Sequence, residues 1–424
     1  MKILKKIISN PLFKVGSHNS LNVGIRVITG LASSKIIALF LGPAGIAIID
    51  NLRNFLSSSD VVSTLGFQNG IIKYVAENEK DTIKLNRVLA TIFITLFSFC
   101  LLLSVVLFFL SDYFSELLFW PGFNYNTIFK LLAFLLPLYV GNAVFLYVIN
   151  GLGKFRQVIN INIIGNIIGF LLSALLIWNF KIEGALYALL LAPVLLFFFS
   201  GYSFYTYFPD FRFLNKKHYD FSILKGLSSY TAMSLVTAVL SPLIYIAIRT
   251  NIIEQYSMEE AGFWGAINRV SGFYLMFVST LFTVYFLPKL SVAKTNNETK
   301  QIFWSYYKSI IPVFIIGFIL IYLLRSWVIQ LLFTKDFFPV ENLFFWQLLG
   351  DLFKVCALIL GYEFFAKKMT KVFIITEIFS FLILYFSSIF LIEQYGSEGA
   401  VIAHAFTYSI YLIVLMVYFR KKLF

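Results

Sequence analysis

Glu183-Gly184-Ala185-Leu186-Tyr187-Ala188 returns as Glu398-Gly399-Ala400-Val401-Ile402-Ala403, roughly 215 positions later, and an echo at that spacing decides how the chain is read. A second pair keeps nearly the same offset. Ala44-Gly45 runs on to Asn51 and Arg53, and Ala261-Gly262 runs on to Asn268 and Arg269. Either echo alone is weak, because Gly and Ala abound in membrane helices. Two echoes at one period point to a duplicated membrane unit, which is how many transporters are assembled.

Composition places the chain in lipid. Of its 424 residues, 59% are hydrophobic and 13% are charged. Mean hydropathy is +0.84. A soluble domain carries roughly 25% charged residues, so most of this surface must face something other than water. The net charge of +13 raises nucleic acid as a partner. The basic residues sit between apolar runs, however, where membrane topology puts them, and no nucleic acid is expected. Cys100 and Cys356 lie inside apolar runs and imply no disulfide framework. The basic start (Lys2, Lys5, Lys6) leads into a long apolar stretch near residue 17, read as a first spanning helix rather than a cleaved leader.

Runs of about 20 apolar residues cross ~30 Å of hydrocarbon. On that criterion helices fall at about 17–41, 45–75, 83–110, 127–150, 157–179 and 183–208. A second set falls at about 223–248, 261–287, 302–325, 340–366, 372–392 and 398–419. The fold class is an all-α polytopic membrane protein, twelve helices in two six-helix lobes. Six spans return the chain to its starting side, so a pseudo-two-fold along the membrane normal relates the lobes. The polar, basic stretch around Asn215, Lys216, Lys217 and His218 separates them, giving an N-terminal lobe of 1–214 and a C-terminal lobe of 215–424.

Charge fixes the orientation. Lys80, Lys84 and Arg87, then Lys154 and Arg156, then Arg212, Lys216 and Lys217 fall in alternate loops. So do Lys289, Lys294 and Lys300, then Lys367, Lys368 and Lys371, then Arg420, Lys421 and Lys422. The other loops carry Asp112, Glu116, Glu254, Glu259, Glu260, Glu393 and Glu398, with few cations (Lys181, Arg249, Lys335). Positive loops stay in the cytoplasm, so both termini are expected there.

Ionisable residues inside spans are costly and mark candidate sites. Arg26 and Lys35 on the first helix point to opposite faces. Asp50, Arg53 and Asp60 on the second share one narrow stripe, expected to line a cavity or to pair with a neighbouring helix. Arg269 lies on the eighth helix with Thr280 and Thr283, Arg249 ends the seventh, and Lys308 sits near the inner end of the ninth. Asp351 and Lys354, one turn apart, fit a local ion pair. Glu363, Glu377 and His404 stand singly, His404 in a small-residue setting that favours an interhelical hydrogen bond. Arg53 and Arg269 occupy near-equivalent repeat positions. Two guanidiniums on one cavity suit a diphosphate, because Arg presents a planar donor fork matched to phosphate oxygens. Arg26, Lys35, Arg53, Arg249, Arg269 and Lys354 are therefore the candidate substrate-binding residues, and Asp50, Asp60, Asp351, Glu363 and Glu377 the ion-coupling or pairing candidates. The three histidines, His18, His218 and His404, are far apart in sequence, and no nucleophile elbow, phosphate loop or metal-ligand spacing is present. Neither a catalytic residue, a metal nor a cofactor is expected.

Leu41-Gly42-Pro43-Ala44-Gly45, followed by Asn69-Gly70-Ile71-Ile72-Lys73-Tyr74-Val75-Ala76-Glu77, resembles the bacterial Wzx-type O-antigen and common-antigen lipid III flippases. These belong to the multidrug/oligosaccharidyl-lipid/polysaccharide (MOP) exporter superfamily, which includes the MATE transporters. Ala261-Gly262-Phe263-Trp264, Val284-Tyr285-Phe286-Leu287-Pro288, Gly350-Asp351-Leu352-Phe353-Lys354-Val355 and Tyr395-Gly396 through Ala403 agree with it in order. The resemblance implies twelve helices in two lobes around a V-shaped cavity, and roles for Arg249, Asp351 and Lys354. The chain departs from the pattern at Arg269 and Gly272, where relatives often carry an acidic residue, and at Asp50.

What the resemblance implies is a flippase. It would carry an undecaprenyl-pyrophosphate-linked oligosaccharide from the cytoplasmic to the periplasmic leaflet of the bacterial inner membrane by alternating access. Its partners would be that glycan, membrane lipids and a glycan polymerase or chain-length machinery, and it would act as a monomer. One alternative is a MATE-like cation-coupled drug antiporter, which predicts a predominantly acidic cavity. Another is a polyprenyl-glycan polymerase or ligase, which would need a larger outer loop than those at about 111–126 and 249–260.

Overall fold

The computed structural model describes residues 11–119, 125–210, 213–228 and 231–423. Lys2, Lys5, Lys6 and Arg212 lie outside the described residues, as do the side chains of His18, Lys216 and Thr283. In chain order the helices are α1 (Pro11–Ser63), α2 (Gln68–Asn78), α3 (Thr82–Phe109), α4 (Ser111–Leu118), α5 (Asn126–Gly151), α6 (Phe155–Tyr205), α7 (Phe221–Ser228) and α8 (Thr231–Gln255). Then come α9 (Met258–Leu281), α10 (Leu287–Val292), α11 (Asn296–Ser309), α12 (Ile311–Leu323), α13 (Arg325–Leu332), α14 (Phe344–Ala366), α15 (Thr370–Tyr418) and α16 (Arg420–Leu423). No strand occurs among the described residues. Lipid offers no hydrogen bonds to an open backbone, so a helix, which satisfies its own, is the natural spanning form. Among the described residues, eight stretches are long and apolar enough to cross a bilayer, and the chain is a membrane protein. Its surface agrees, since side chains such as Phe134 (80% exposed) point outward.

Three of these stretches hold two helical arms joined at one non-helical residue: Gly42 in α1, Lys181 in α6 and Gly396 in α15. The apolar pattern breaks at the same places. In α6 and α15 the joint is built alike. Lys181 (φ 52°) and Gly396 (φ 57°) take left-handed backbone three residues before the glycine of the repeated phrase. A Cβ on Gly184 would stand 2.0 Å from the Leu176 carbonyl oxygen, and one on Gly399 would stand 2.1 Å from that of Leu391. Each carbonyl lies eight residues before its glycine. Gly165 faces Leu196 and Gly169 faces Ala192, so α6 folds back antiparallel on itself. The sequence echo is thus a shared backbone device.

Other boundaries differ from the sequence reading. Periodicity carried the second helix to residue 75, but the structure ends it at Ser63. Leu65 (φ 51°) and Gly66 (φ 63°) turn the chain there, and α2 begins at Gln68. The helix expected over 302–325 is α11 and α12, parted at Ile310 before Pro312, whose nitrogen cannot donate to the preceding turn. The one expected over 261–287 passes through a π-helical turn, Phe282–Phe286, just ahead of Pro288.

The chain divides into two compact units. The first comprises 1–33 and 51–239, and the second 34–50 and 240–424. The sequence reading divided the chain near 214/215. The middle of α1 instead packs with the C-terminal helices, and α7 with the start of α8 packs with the N-terminal ones. Within the first unit, Phe93 meets Phe213 (5.1 Å between ring centroids) and Phe145 meets Phe204 (4.7 Å). Within the second, Phe282 stacks on Tyr362 (4.5 Å).

Candidate functional site

The second unit buries a run of charged side chains. It begins where the second arm of α1 crosses α9. A Cβ on Gly262 would meet the Pro43 carbonyl oxygen at 2.0 Å, and one on Gly265 would meet Asp50 Oδ2 at 2.9 Å. The Gly-x-x-Gly face therefore lets the two backbones approach, as small residues do between membrane helices. At this crossing Arg269 donates to Asp50 through Nη2 (2.7 Å to Oδ1) and Nε (3.4 Å to Oδ2). Asp50 is 7% and Arg269 9% exposed. Arg249, 2% exposed in the C-terminal half of α8, lies within electrostatic reach of both. Its guanidinium stands 5.3 Å from the Trp264 ring centroid, and Tyr245 stacks on that ring. Two guanidiniums thus lie near one carboxylate, and their planar donor forks are of the kind that suits an anionic ligand.

A second centre forms where α9, α14 and α15 meet. Asp351, fully buried, accepts on Oδ2 from Ser271 (2.5 Å), Tyr274 and Gln347 (3.1 Å), and on Oδ1 from His404 Nε2 (3.0 Å). A Cβ on Gly350 would lie 2.4 Å from His404 Cδ2, so the imidazole rests on the α14 backbone itself. The one-turn spacing of Asp351 and Lys354 suggested a local ion pair. The structure pairs Asp351 with His404 instead, and sets Lys354 Nζ 5.0 Å from the Tyr408 ring centroid. His404 is the interhelical hydrogen-bonder its setting indicated.

The remaining candidates scatter. Glu363, expected to stand alone, is fully buried and bonded to Lys422 Nζ at 2.6 Å. Glu377 accepts from Tyr411 at 3.4 Å. Lys35 donates to the carbonyls of Gln330 and Phe333, which makes it a cationic cap on the C-terminal end of α13. In the first unit, Arg26 and Arg53 are exposed and Asp60 is half-buried on α1. The stripe Asp50–Arg53–Asp60 is therefore divided between units, and the repeat-related Arg53 and Arg269 sit in unlike surroundings. The reason is Asp50, which holds Arg269 in a buried pair.

Ser271, Tyr274, Gln347, Tyr408, Tyr245 and Trp264 were not foreseen as site residues. Three helical spacings carried a signal: Gln347 one turn before Asp351, Tyr274 one turn after Ser271, and Tyr408 one turn after His404. Neutral polar side chains attract less notice than charges, though in lipid they need partners as much.

A family model described as "Polysaccharide biosynthesis protein" matches residues 19–294. The chain is 30% identical over 392 residues to the lipid III flippase of Escherichia coli (strain K12), covering 91% of this chain and 93% of that protein. The lipid III flippase of Shigella flexneri matches with the same figures. Among solved structures, an inward-facing multidrug resistance MATE family transporter of the MOP superfamily superposes with a TM-score of 0.81 at 13% identity, covering 94% of each chain. Lipid II flippase MurJ, in an inward closed conformation, gives 0.71 at 16% identity, covering 96% of this chain and 87% of that one. At such identities the structural likeness speaks for fold alone.

Proposed function

This chain belongs to the polysaccharide biosynthesis protein family, and on that premise we propose that it is a flippase for a lipid-linked oligosaccharide. The observation that carries the reading is the identity to lipid III flippases running through nearly the whole chain. The carrier is undecaprenyl diphosphate, and the cargo is an O-antigen, common-antigen or capsule repeat unit moved from the cytoplasmic to the periplasmic leaflet of the inner membrane. The eight apolar stretches, three of them doubled at their joints, together with α9 make twelve crossings with both termini in the cytoplasm. α9 is less apolar than the others, with Asn268 and Arg269 in its middle. Substrate phosphate binds the second unit where Arg269 is paired with Asp50 and Arg249 lies within electrostatic reach of both. The protein is not an enzyme; it acts as a monomer and hands its cargo to glycan polymerase machinery.

The test is deletion of the gene with leaflet-resolved assay of the lipid-linked glycan. Loss should trap glycan in the inner leaflet, and re-expression should release it. Unchanged distribution refutes the reading. The MATE-like fold favours a second reading, a cation-coupled drug antiporter. Efflux of an amphipathic cationic dye without any effect on glycan would put that reading first.

A further inference from the structure

Where α15 ends, its last residues and α16 wall a cavity of about 530 Å³. The second arm of α15 runs from Gly396 to Tyr418, about 33 Å at 1.5 Å per residue, which matches the ~30 Å depth of hydrocarbon. A cavity at the end of that arm therefore opens at the boundary between lipid and water. Tyr418, an amphipathic ring of the kind that gathers at this boundary, stands exposed there.

The cavity has two unlike walls. Met369, Val417 and Tyr418 make an apolar one. Arg420 and Lys421, both exposed, make a cationic one together with Lys422 and the amide of Asn296. Lys422 is held by the fully buried Glu363 at 2.6 Å, which offsets its charge. Glu298, on the same first turn of α11 as Asn296, accepts from the Lys294 amide at 2.7 Å. Among the described residues no carboxylate pairs with Arg420 or Lys421. Cations suit the dipole at a helix C-terminus, which accounts for their sign. It does not account for an open cavity that sets them beside an apolar wall. The cationic wall is also firmly placed. Phe419 packs on Phe364 (5.1 Å between ring centroids) and Phe303 (6.1 Å), and Trp304 Nε1 donates to the Leu423 carbonyl at 3.0 Å. These contacts and the Lys422 pair fix α16 to α11 and α14.

We infer that this cavity binds the headgroup of an anionic phospholipid. The Arg420 fork and the Lys421 ammonium take the phosphate oxygens, and the Asn296 amide serves the neighbouring glycerol oxygens. An acyl chain lies along Met369, Val417 and Tyr418. The volume falls within the roughly 300–1,000 Å³ of small-molecule sites. A free phosphate would use the cations and leave the apolar wall bare, so a lipid is the better fit. The inference does not rest on the flippase reading.

The test is native mass spectrometry of the full-length protein, titrated in detergent with phosphatidylglycerol and separately with zwitterionic phosphatidylcholine. The wild type should retain one phosphatidylglycerol and prefer it about tenfold. Each cation near an anionic headgroup is worth roughly fivefold in affinity, so Arg420→Gln with Lys421→Gln should weaken binding about 30-fold. Both side chains are exposed, so the Tm of this variant should match that of the wild type. Lys154→Gln with Arg156→Gln, an exposed pair in the first unit, should leave binding nearly unchanged. A wild type that does not prefer phosphatidylglycerol overturns the inference with no variant needed. Equal losses in the two double variants also overturn it, since they would mean attraction to basic surface in general. So does displacement of the lipid by inorganic phosphate at equal concentration, which would make the site one for the free anion.

Discussion

Replacing Asp50 with Ala removes the acceptor that holds Arg269. The guanidinium would stay 9% exposed beside Arg249, because the Gly262 and Gly265 crossing fixes both helices at close range. Two donors, at 2.7 and 3.4 Å, would lose their acceptor at once. Breaking a buried ion pair from one side costs about 3–5 kcal/mol. For a unit of about 200 residues this lowers Tm by on the order of 10 °C. Removing both charges with residues of similar volume, Asp50→Leu with Arg269→Met, should restore most of the loss, since desolvation of the pair offsets much of its attraction. The assay is thermal unfolding of the purified protein in one detergent, run as a double-mutant cycle. A coupling energy below about 1 kcal/mol, or a double variant no more stable than Asp50→Ala, refutes the argument.

Further expectations concern the joints and caps. Lys181→Gly should raise stability by about 1 kcal/mol in thermal unfolding, because an L side chain in left-handed backbone carries that much strain. Gly184→Ala and Gly399→Ala should each destabilise by about 1–3 kcal/mol or more, since the new methyl meets a carbonyl of the opposing arm, and comparable losses are expected if the joints are equivalent. Lys35→Met should cost about 1.5–3 kcal/mol, the range for hydrogen bonds to a charged group, read by the same unfolding measurement. Asp81 caps α3, and its carboxyl is held below the usual range chiefly by the Lys84 backbone amide. Asp220 is lowered likewise by the Ser222 hydroxyl and amide. Lowered carboxylates support the fold above their ordinary pKa of about 3.9 and lose that support as pH falls through the folded value. Amide exchange at the start of α3 should therefore quicken, relative to the intrinsic rate, as pH falls below about 3.9 in the wild type. It should already be fast at pH 6 in Asp81→Ala.

Much of the fold was legible because lipid makes hydrophobic length a direct reading of span length. The breaks at Gly42, Lys181 and Gly396 sit where the apolar pattern paused. The end of α1 at Ser63 was not legible, since residues 64–75 keep an apolar character while Leu65 and Gly66 turn the backbone. Nor was the partition of the chain, which depends on residues 34–50 grouping with the C-terminal helices. At the site, the charges were found and their partners were not. Asp50 met Arg269 across more than two hundred positions, and Glu363 met Lys422 near the end of the chain, contacts that no local spacing encodes. The Asp351 centre was half seen, because its charge was conspicuous and its three neutral donors were not.

The joints of α6 and α15 have a bearing on how the protein is made. Each closes through contacts between its own two arms, a carbonyl set against a glycine, although at α15 Tyr256 and Glu260 also reach the joint. Such a pair can assemble as soon as both arms leave the ribosome. Biogenesis would then proceed in ready-made couples, with the polar reversal crossing the bilayer under the cover of two greasy flanks.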